Sequence, residues 1–545
     1  MALQYTPLDE IVKTHARLRA TFDSGKTLPL PYRRQQLLQL ARLVQQNAHT
    51  FESALWQEFR KQPLEIAMVD LSPVVSAALY AADNLERWAK VEEAECVPEA
   101  EGIKEKLSEL LGSGEGVKGA GTEEHSKPQK TTIHKQPKGL VVNISPWNYP
   151  IILSLSPLVG AIAAGCTAIL KPSEHTPIVA ALFAELFPKF LDPDAYAVVN
   201  GGVEETGCLL GMKFDHIFFT GSTHVGRIVA AAAAKQLTTV TLELGGKSPV
   251  FVDAAHTDLD IAARRILWGR QVCAGQVCVS PDYVLVPRAQ QDAFVDAVKR
   301  AYGEFWPGGA IDDKGLATDG NGKTTDGNGK TAGRDGKATD RNGETTGRPG
   351  STLSGLHPTA RNRVHGLVRD TQGEVIVGGL DANAQGSVTT PAIVTTPTIV
   401  TAPTIVRDVG LGDALMKGEI FGPILPIVPV DDASPSFANG NDPSPSCANG
   451  DASLDDNGDC VSAAIRIINS HPAPLVIYVF TEREGVKERF LHSTRSGTLV
   501  LNDCLQQLAV YEMPFGGVGE SGSGAWFGKH TFDTFTERRR VRARG

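Results

Sequence analysis

The stretch His216-Ile217-Phe218-Phe219-Thr220-Gly221-Ser222-Thr223-His224-Val225-Gly226 decides the fold class. An apolar run of strand length ends in a turn of small residues, and the residues after it open a helix. Working outward, apolar runs at 140–144, 168–170, 196–200 and 240–244 alternate with helical stretches. That alternation predicts a parallel, doubly wound α/β sheet. Upstream, residues 8 to 95 read as mainly helical, because Leu37, Leu38, Leu40, Ala41, Leu43 and Val44 recur at helical spacing. From about 97 to 130 the chain turns polar and Gly-rich, the pattern of a mobile loop.

The same turn suggests a cofactor. Thr220, Gly221, Ser222 and Gly226 are small enough to let a dinucleotide reach the backbone near a helix N-terminus, where the dipole favours phosphate. A strand-to-helix turn wants glycine in any case. Leu170-Lys171-Pro172-Ser173-Glu174 offers a cation and a carboxylate to the adenosine ribose. An acid accepting ribose hydroxyls favours NAD, while Lys171 could accommodate a 2′-phosphate, so NAD and NADP both stand.

Cys278 sits in Gly275-Gln276-Val277-Cys278-Val279-Ser280-Pro281-Asp282-Tyr283, and Glu243 in Leu242-Glu243-Leu244-Gly245-Gly246-Lys247-Ser248-Pro249. A thiol with a carboxylate that can activate water is the minimum equipment for covalent oxidation of an aldehyde. A cysteine by itself is usually a small buried hydrophobe, and Cys166, Cys208 and Cys273 read that way.

With Pro146-Trp147-Asn148-Tyr149-Pro150 and Glu419-Ile420-Phe421-Gly422-Pro423, these segments resemble the aldehyde dehydrogenase superfamily. Thr220-Gly221-Ser222-Thr223 and Met513-Pro514-Phe515-Gly516-Gly517-Val518-Gly519-Glu520-Ser521-Gly522 narrow the resemblance to its class 3, fatty-aldehyde-like branch. The resemblance implies NAD(P)-dependent oxidation of an apolar, medium- or long-chain aldehyde to its acid. Cys278 would form a thiohemiacetal and then a thioester, Asn148 and the Cys278 backbone N–H would hold the oxyanion, and Glu243 would activate water. Trp147, Lys171, Glu174, Thr220, Gly221, Ser222, Gly226, Glu419 and Phe421 would line the cofactor site. Three departures stand out: His224 where the family often has glycine, Gly418 where it often has an acid, and Val277 for a common threonine. Alternatives are a dehydrogenase specific for an apocarotenoid aldehyde and a catalytically inactive protein of the same fold.

The implied architecture is α/β, with a Rossmann-like cofactor domain at 1–130 and 143–242 and a second α/β catalytic domain at 243–523. A small β oligomerisation element at 131–142 plus 524–545 would make a homodimer. Repeats mark low-complexity inserts near 312–351, 386–400 and 431–459. A seven-residue repeat fills 319–346, three hexapeptides resembling Thr-Thr-Pro-Ala-Ile-Val fill 389–406, and two copies of a Ser-Pro-Ser motif lie within 434–453. The first repeat alternates Asp and Asn with Gly but lacks the fixed carboxylate a calcium loop needs, so disordered insertion is expected.

A chain of 545 residues is too long for one core, so two or three domains are expected. A formal charge of −9 argues against a nucleic-acid partner. Arg538, Arg539, Arg540, Arg542 and Arg544 could touch an anionic membrane surface, though a solvated tail explains them as well. The eight cysteines form no disulfide framework and no zinc spacing, which points to a reducing, cytoplasmic setting without a metal site. No signal peptide or C-terminal anchor is expected. Residues 151–170 carry no charge and imitate a membrane span, but their serines, proline and glycines predict a buried helix leading into a strand.

Overall fold

The computed structural model describes residues 3–94, 130–306, 310–311, 317–318, 354–378, 399–400, 403–431 and 458–543. The N-terminal helices come first: Leu8–Asp23, Leu30–Gln46, Ala48–Phe59 and Ser72–Ala89. The last is entered through the short helix Pro63–Glu65 and a π-helical turn, Ile66–Leu71. Strand β1 (Glu92–Ala94) and strand β2 (Lys130–Pro137) then form a three-stranded antiparallel sheet with Thr536–Ala543 at its edge. Most of the Gly-rich 97–130 stretch, the heptad repeat and the Ser-Pro-Ser repeats lie outside the described residues.

The expected doubly wound sheet contains β3 (Leu140–Ile144), β4 (Thr167–Lys171), β5 (Tyr196–Val198), β6 (His216–Gly221) and β7 (Thr239–Leu244). In space they run β7-β6-β3-β4-β5, all parallel, with the short strand Gly522–Ser523 added antiparallel to β7. β3 and β4 are buried at every position, as a parallel strand covered by helices on both faces must be. The chain winds one way from β3 to β4 and the other way at β6. The switch point between β3 and β6 therefore opens a crevice at the carboxyl ends of the strands, where such sheets bind ligands.

The uncharged segment after β3 folds as expected. Helix Ile152–Ala164 is almost wholly buried, ends at Gly165 in a left-handed conformation (φ 92°), and leads directly into β4.

A seven-stranded sheet forms the second layer. Its order is Glu374–Val377, Thr404–Arg407, Ile424–Val430, β9 (Tyr283–Pro287), β8 (Pro249–Val252), Val476–Phe480 and Thr498–Leu501. All neighbours pair parallel except the first two.

Two sequence expectations change. β3 begins at Leu140 and belongs wholly to the doubly wound sheet, so the element drawn at 131–142 ends before it. The 524–545 segment divides: helix Gly528–Thr534 packs on helix Ile152–Ala164, where a Cβ at Gly160 would sit 2.3 Å from Thr531, and only the strand after it joins β2. The last hexapeptide copy, beyond the insert expected near 386–400, supplies Thr404, Ile405 and Val406, each fully buried.

Candidate active site

Four predicted residues stand at the carboxyl edge of the first sheet. Asn148 follows β3, Lys171 ends β4, Thr220 is next to last in β6, and Glu243 is next to last in β7. Thr220 and Glu243 are register partners. Strand geometry thus gathers residues far apart in sequence.

Cys278 arrives from the other sheet, on the loop between helix Leu259–Gln271 and β9. That loop opens with three residues in the left-handed region: Cys273 (φ 49°), Ala274 (φ 55°) and Gly275 (φ 71°). The first two are strained, since a side chain there costs roughly 1–2 kcal/mol. Gly275 is required for a second reason: a Cβ would lie 2.4 Å from the Gly422 oxygen.

Gln276 pins the strained loop. Its side-chain amide donates to the Cys273 oxygen at 2.8 Å and the Gly355 oxygen at 3.2 Å, and its Oε1 accepts from the His357 backbone N–H at 2.8 Å. Its main-chain oxygen accepts the Asn148 side-chain amide at 2.9 Å, coupling the two motif loops.

A second node lies below. Asp282 accepts from Lys247 at 2.6 Å, Arg270 at 3.3 Å and the Ile420 backbone N–H at 3.0 Å. This buried carboxylate ties the loop after β7, the Cys278 loop and the Glu419 segment into one unit.

The electrostatics are those of a resting site. Cys278 is partly open to solvent, yet its thiol is pushed far up, by desolvation first and then by the charges of Glu419 and Glu243. The backbone N–H groups of Cys278 and Val279 oppose that shift. Glu243 is 4% exposed and is held well above the carboxylate range by burial, with the Trp526 indole opposing weakly. Among the described residues, neither of its carboxyl oxygens has a hydrogen-bond partner of good geometry, an unusual state for a buried acid. Glu419 is raised to about 8 by burial and by Asp282, against the Gly246 backbone N–H, Arg270 and Arg363.

The residues expected at the cofactor fit a dinucleotide. Ser222 caps the 12-residue helix Thr223–Ala234 through the Val225 N–H at 3.3 Å. Gly226 brings that helix against β7, where a Cβ would lie 2.5 Å from Leu244. The Thr220 hydroxyl is buried without a partner among the described residues. Lys171 and Glu174 pair at 2.9 Å; burial would raise Glu174, but Lys171 brings it below its ordinary value. Trp147 meets Phe421 edge-on at 5.6 Å, and Phe421 itself is left-handed (φ 42°). Glu419 packs where a Cβ on Gly245 would be, 2.2 Å from its Oε2.

Lys247 and Asp282 lie inside the quoted motifs, where their opposite charges were a usable signal. Gln276 was equally visible beside Cys278. His357 carried no signal: it stacks on Trp147 at 4.5 Å, donates from Nε2 to the His175 main-chain oxygen at 3.1 Å, and burial lowers it to about 4.

The aldehyde dehydrogenase family profile matches residues 4–316 and 459–541, leaving out the stretch that carries the repeats. Aldehyde dehydrogenase family 3 member A2 of Pongo abelii is 34% identical over 523 residues, 96% of this chain and 86% of that one. The mouse protein named "Aldehyde dehydrogenase, dimeric NADP-preferring" is 34% identical over 523 residues, covering 96% and 92%. The "Beta-apo-4'-carotenal oxygenase" of Neurospora crassa is 34% identical over 540 residues, covering 99% and 82%. Among solved structures, a Staphylococcus aureus AldH in a substrate-bound state superposes with a TM-score of 0.75 at 29% identity, covering 98% and 94%. A Mycobacterium tuberculosis aldehyde dehydrogenase complexed with NAD+ shares the fold, with a TM-score of 0.70 at 23% identity over 99% and 91%.

Proposed function

Because the chain belongs to the aldehyde dehydrogenase family, and so oxidises an aldehyde with NAD(P), we propose that its substrates are apolar, medium- or long-chain aldehydes that react at Cys278. The observation that carries this reading is the apolar cluster to which the thiol belongs. Cys278, Leu153, Val272, Leu508 and Tyr511 are all partly exposed, and all pack on the core cluster that includes Tyr149 and Cys504. Partly open apolar side chains in the cluster that also holds the thiol suit an alkyl tail, which gains about 0.8 kcal/mol per methylene buried.

The chain's own residues divide the chemistry. Glu243, once deprotonated, accepts the Cys278 proton and passes it to solvent, and the sulfur adds to the aldehyde carbon. The Asn148 amide and the Cys278 backbone N–H donate to the oxygen that gains charge. Lys171, Glu174, Thr220, Gly221, Ser222, Gly226, Glu419, Trp147 and Phe421 hold the dinucleotide, whose nicotinamide supplies the hydride acceptor. Glu243 then deprotonates the water that releases the acid from the Cys278 thioester.

The name of the mouse relative supports a homodimer. So does the strand Thr536–Ala543, which lies at a sheet edge and exposes residues 537–541. Its exposed Arg538, Arg539 and Arg540 suit peripheral contact with an anionic membrane surface. The Neurospora relative's name favours an apocarotenoid aldehyde as the second substrate class.

The test is formation of reduced nicotinamide with hexadecanal, octanal, benzaldehyde and an apocarotenal, each with NAD and NADP. The proposal expects kcat/KM to rise from benzaldehyde to the alkyl aldehydes. A preference for benzaldehyde would remove the apolar-tail reading, and an apocarotenal far ahead of hexadecanal would favour the second class.

A further inference from the structure

Lys61 and Asp70 pair at 2.9 Å with no exposed side-chain surface on either partner. Asp70 lies in the π-helical turn Ile66–Leu71, an insertion of the kind often found at functional sites. The Lys61 ammonium also donates to the main-chain oxygen of Asn148 at 3.0 Å, and its Nζ stands 3.7 Å from the centre of the Tyr149 ring. An ammonium has three N–H donors. Carboxylate, carbonyl and ring face account for all three.

The Cys273 thiol approaches the same Asn148 oxygen at 3.6 Å. The Asn148 main chain is therefore held from behind, while its side-chain amide is held in front by the Gln276 oxygen at 2.9 Å. An amide NH2 has two hydrogens, and this arrangement leaves the second one for another acceptor. Two buried ions are a poor way to fill space, because apolar residues of similar volume usually stabilise at least as well. What the ion pair adds here is direction: it fixes where one carbonyl oxygen lies.

We propose that Lys61, anchored by Asp70, is a positioning residue for aldehyde oxidation that holds the Asn148 backbone so its free amide hydrogen points at the developing oxyanion. The proposal rests on the reading of Asn148 given above. Glu65 and Cys273 are the other titratable groups whose charges act on Lys61. Burial is the largest influence on Lys61 and opposes its charge, but Asp70, Cys273 and Glu65 together raise it above its ordinary value.

The experiment is a double-mutant cycle of Lys61→Met and Asn148→Ala in the full chain, read as kcat and KM for aldehyde and cofactor. Misplacing a catalytic group by about 1 Å can cost on the order of 100-fold. Lys61→Met is expected to lower kcat by roughly 10- to 100-fold with both KM values within about twofold. In the Asn148→Ala background the same change is expected to lower kcat no further, because the residue it positions is gone. Asp70→Asn, which keeps an acceptor for Lys61, is expected to give a smaller loss with the same non-additivity, and it replaces Lys61→Met in the cycle should that variant not fold. Losses that multiply, or a rise in KM at unchanged kcat, would overturn the proposal while leaving Asn148 in its role. An Asn148→Ala enzyme with wild-type kcat would remove the oxyanion assignment and the proposal together.

Discussion

The Asn148 side-chain amide donates to the main-chain oxygen of Gln276 at 2.9 Å, two residues before Cys278. The bond joins the end of a strand in one sheet to the nucleophile loop of the other, so the proposed oxyanion donor and the thiol move together. Asn148→Ala should lower kcat by about 10²- to 10³-fold, the usual loss of one such donor. Thermal unfolding of the variant, followed by circular dichroism, should shift by only a few degrees, which would separate a catalytic loss from a structural one.

Rate should rise with pH. Cys278 and Glu243 are both pushed upward, chiefly by burial, and both must lose a proton to act. The kcat/KM profile, which reports the free enzyme, should climb on the alkaline side. Alkylation of Cys278 by iodoacetamide, followed by peptide mass mapping, should speed up over the same range. A flat profile from pH 6 to 9 in both measurements would contradict the buried, uncharged resting site.

Gly245 leaves the space that Glu419 occupies, since a Cβ there would lie 2.2 Å from its Oε2. Gly245→Ala must displace that carboxyl. The expected result is a rise of about tenfold in the cofactor dissociation constant, near 1.4 kcal/mol, measured by quenching of tryptophan fluorescence. Unchanged affinity would show that Glu419 does not touch the dinucleotide.

Asp282 receives two buried cations and a backbone N–H. Asp282→Asn would leave Lys247 and Arg270 without their shared counter-charge, and breaking a buried pair in this way costs about 3–5 kcal/mol. Urea denaturation should register that loss, with activity falling even where the variant remains folded, because the Glu419 segment is released from the Cys278 loop.

Much of this was legible because strand ends are legible. The apolar runs before Asn148, Lys171, Thr220 and Glu243 marked four parallel strands, and parallel strands bring their carboxyl ends together whatever lies between them. The couplings were not legible in the same way. Lys61 looks like any surface lysine in a helical region, and only the π turn that carries Asp70 buries it beneath Asn148. His357 follows the first repeat-bearing stretch, and nothing in its local pattern says that it will stack on Trp147. The strand that closes the hexapeptide array was not legible for a physical reason: the copies share nearly the same strand-forming Ile-Val core, so sequence alone does not say which copy enters the sheet. The structure uses Thr404–Arg407, beside Ile424–Val430.

The central claim is that an acyl group is carried on Cys278 and released by Glu243. Its most direct test is peptide mass mapping of Glu243→Gln enzyme quenched shortly after mixing with hexadecanal and NAD(P). The account predicts a palmitoyl thioester on Cys278, which accumulates because the water-activating carboxylate is gone. Rapid turnover with no adduct, or an acyl group on Cys273 in place of Cys278, would contradict it.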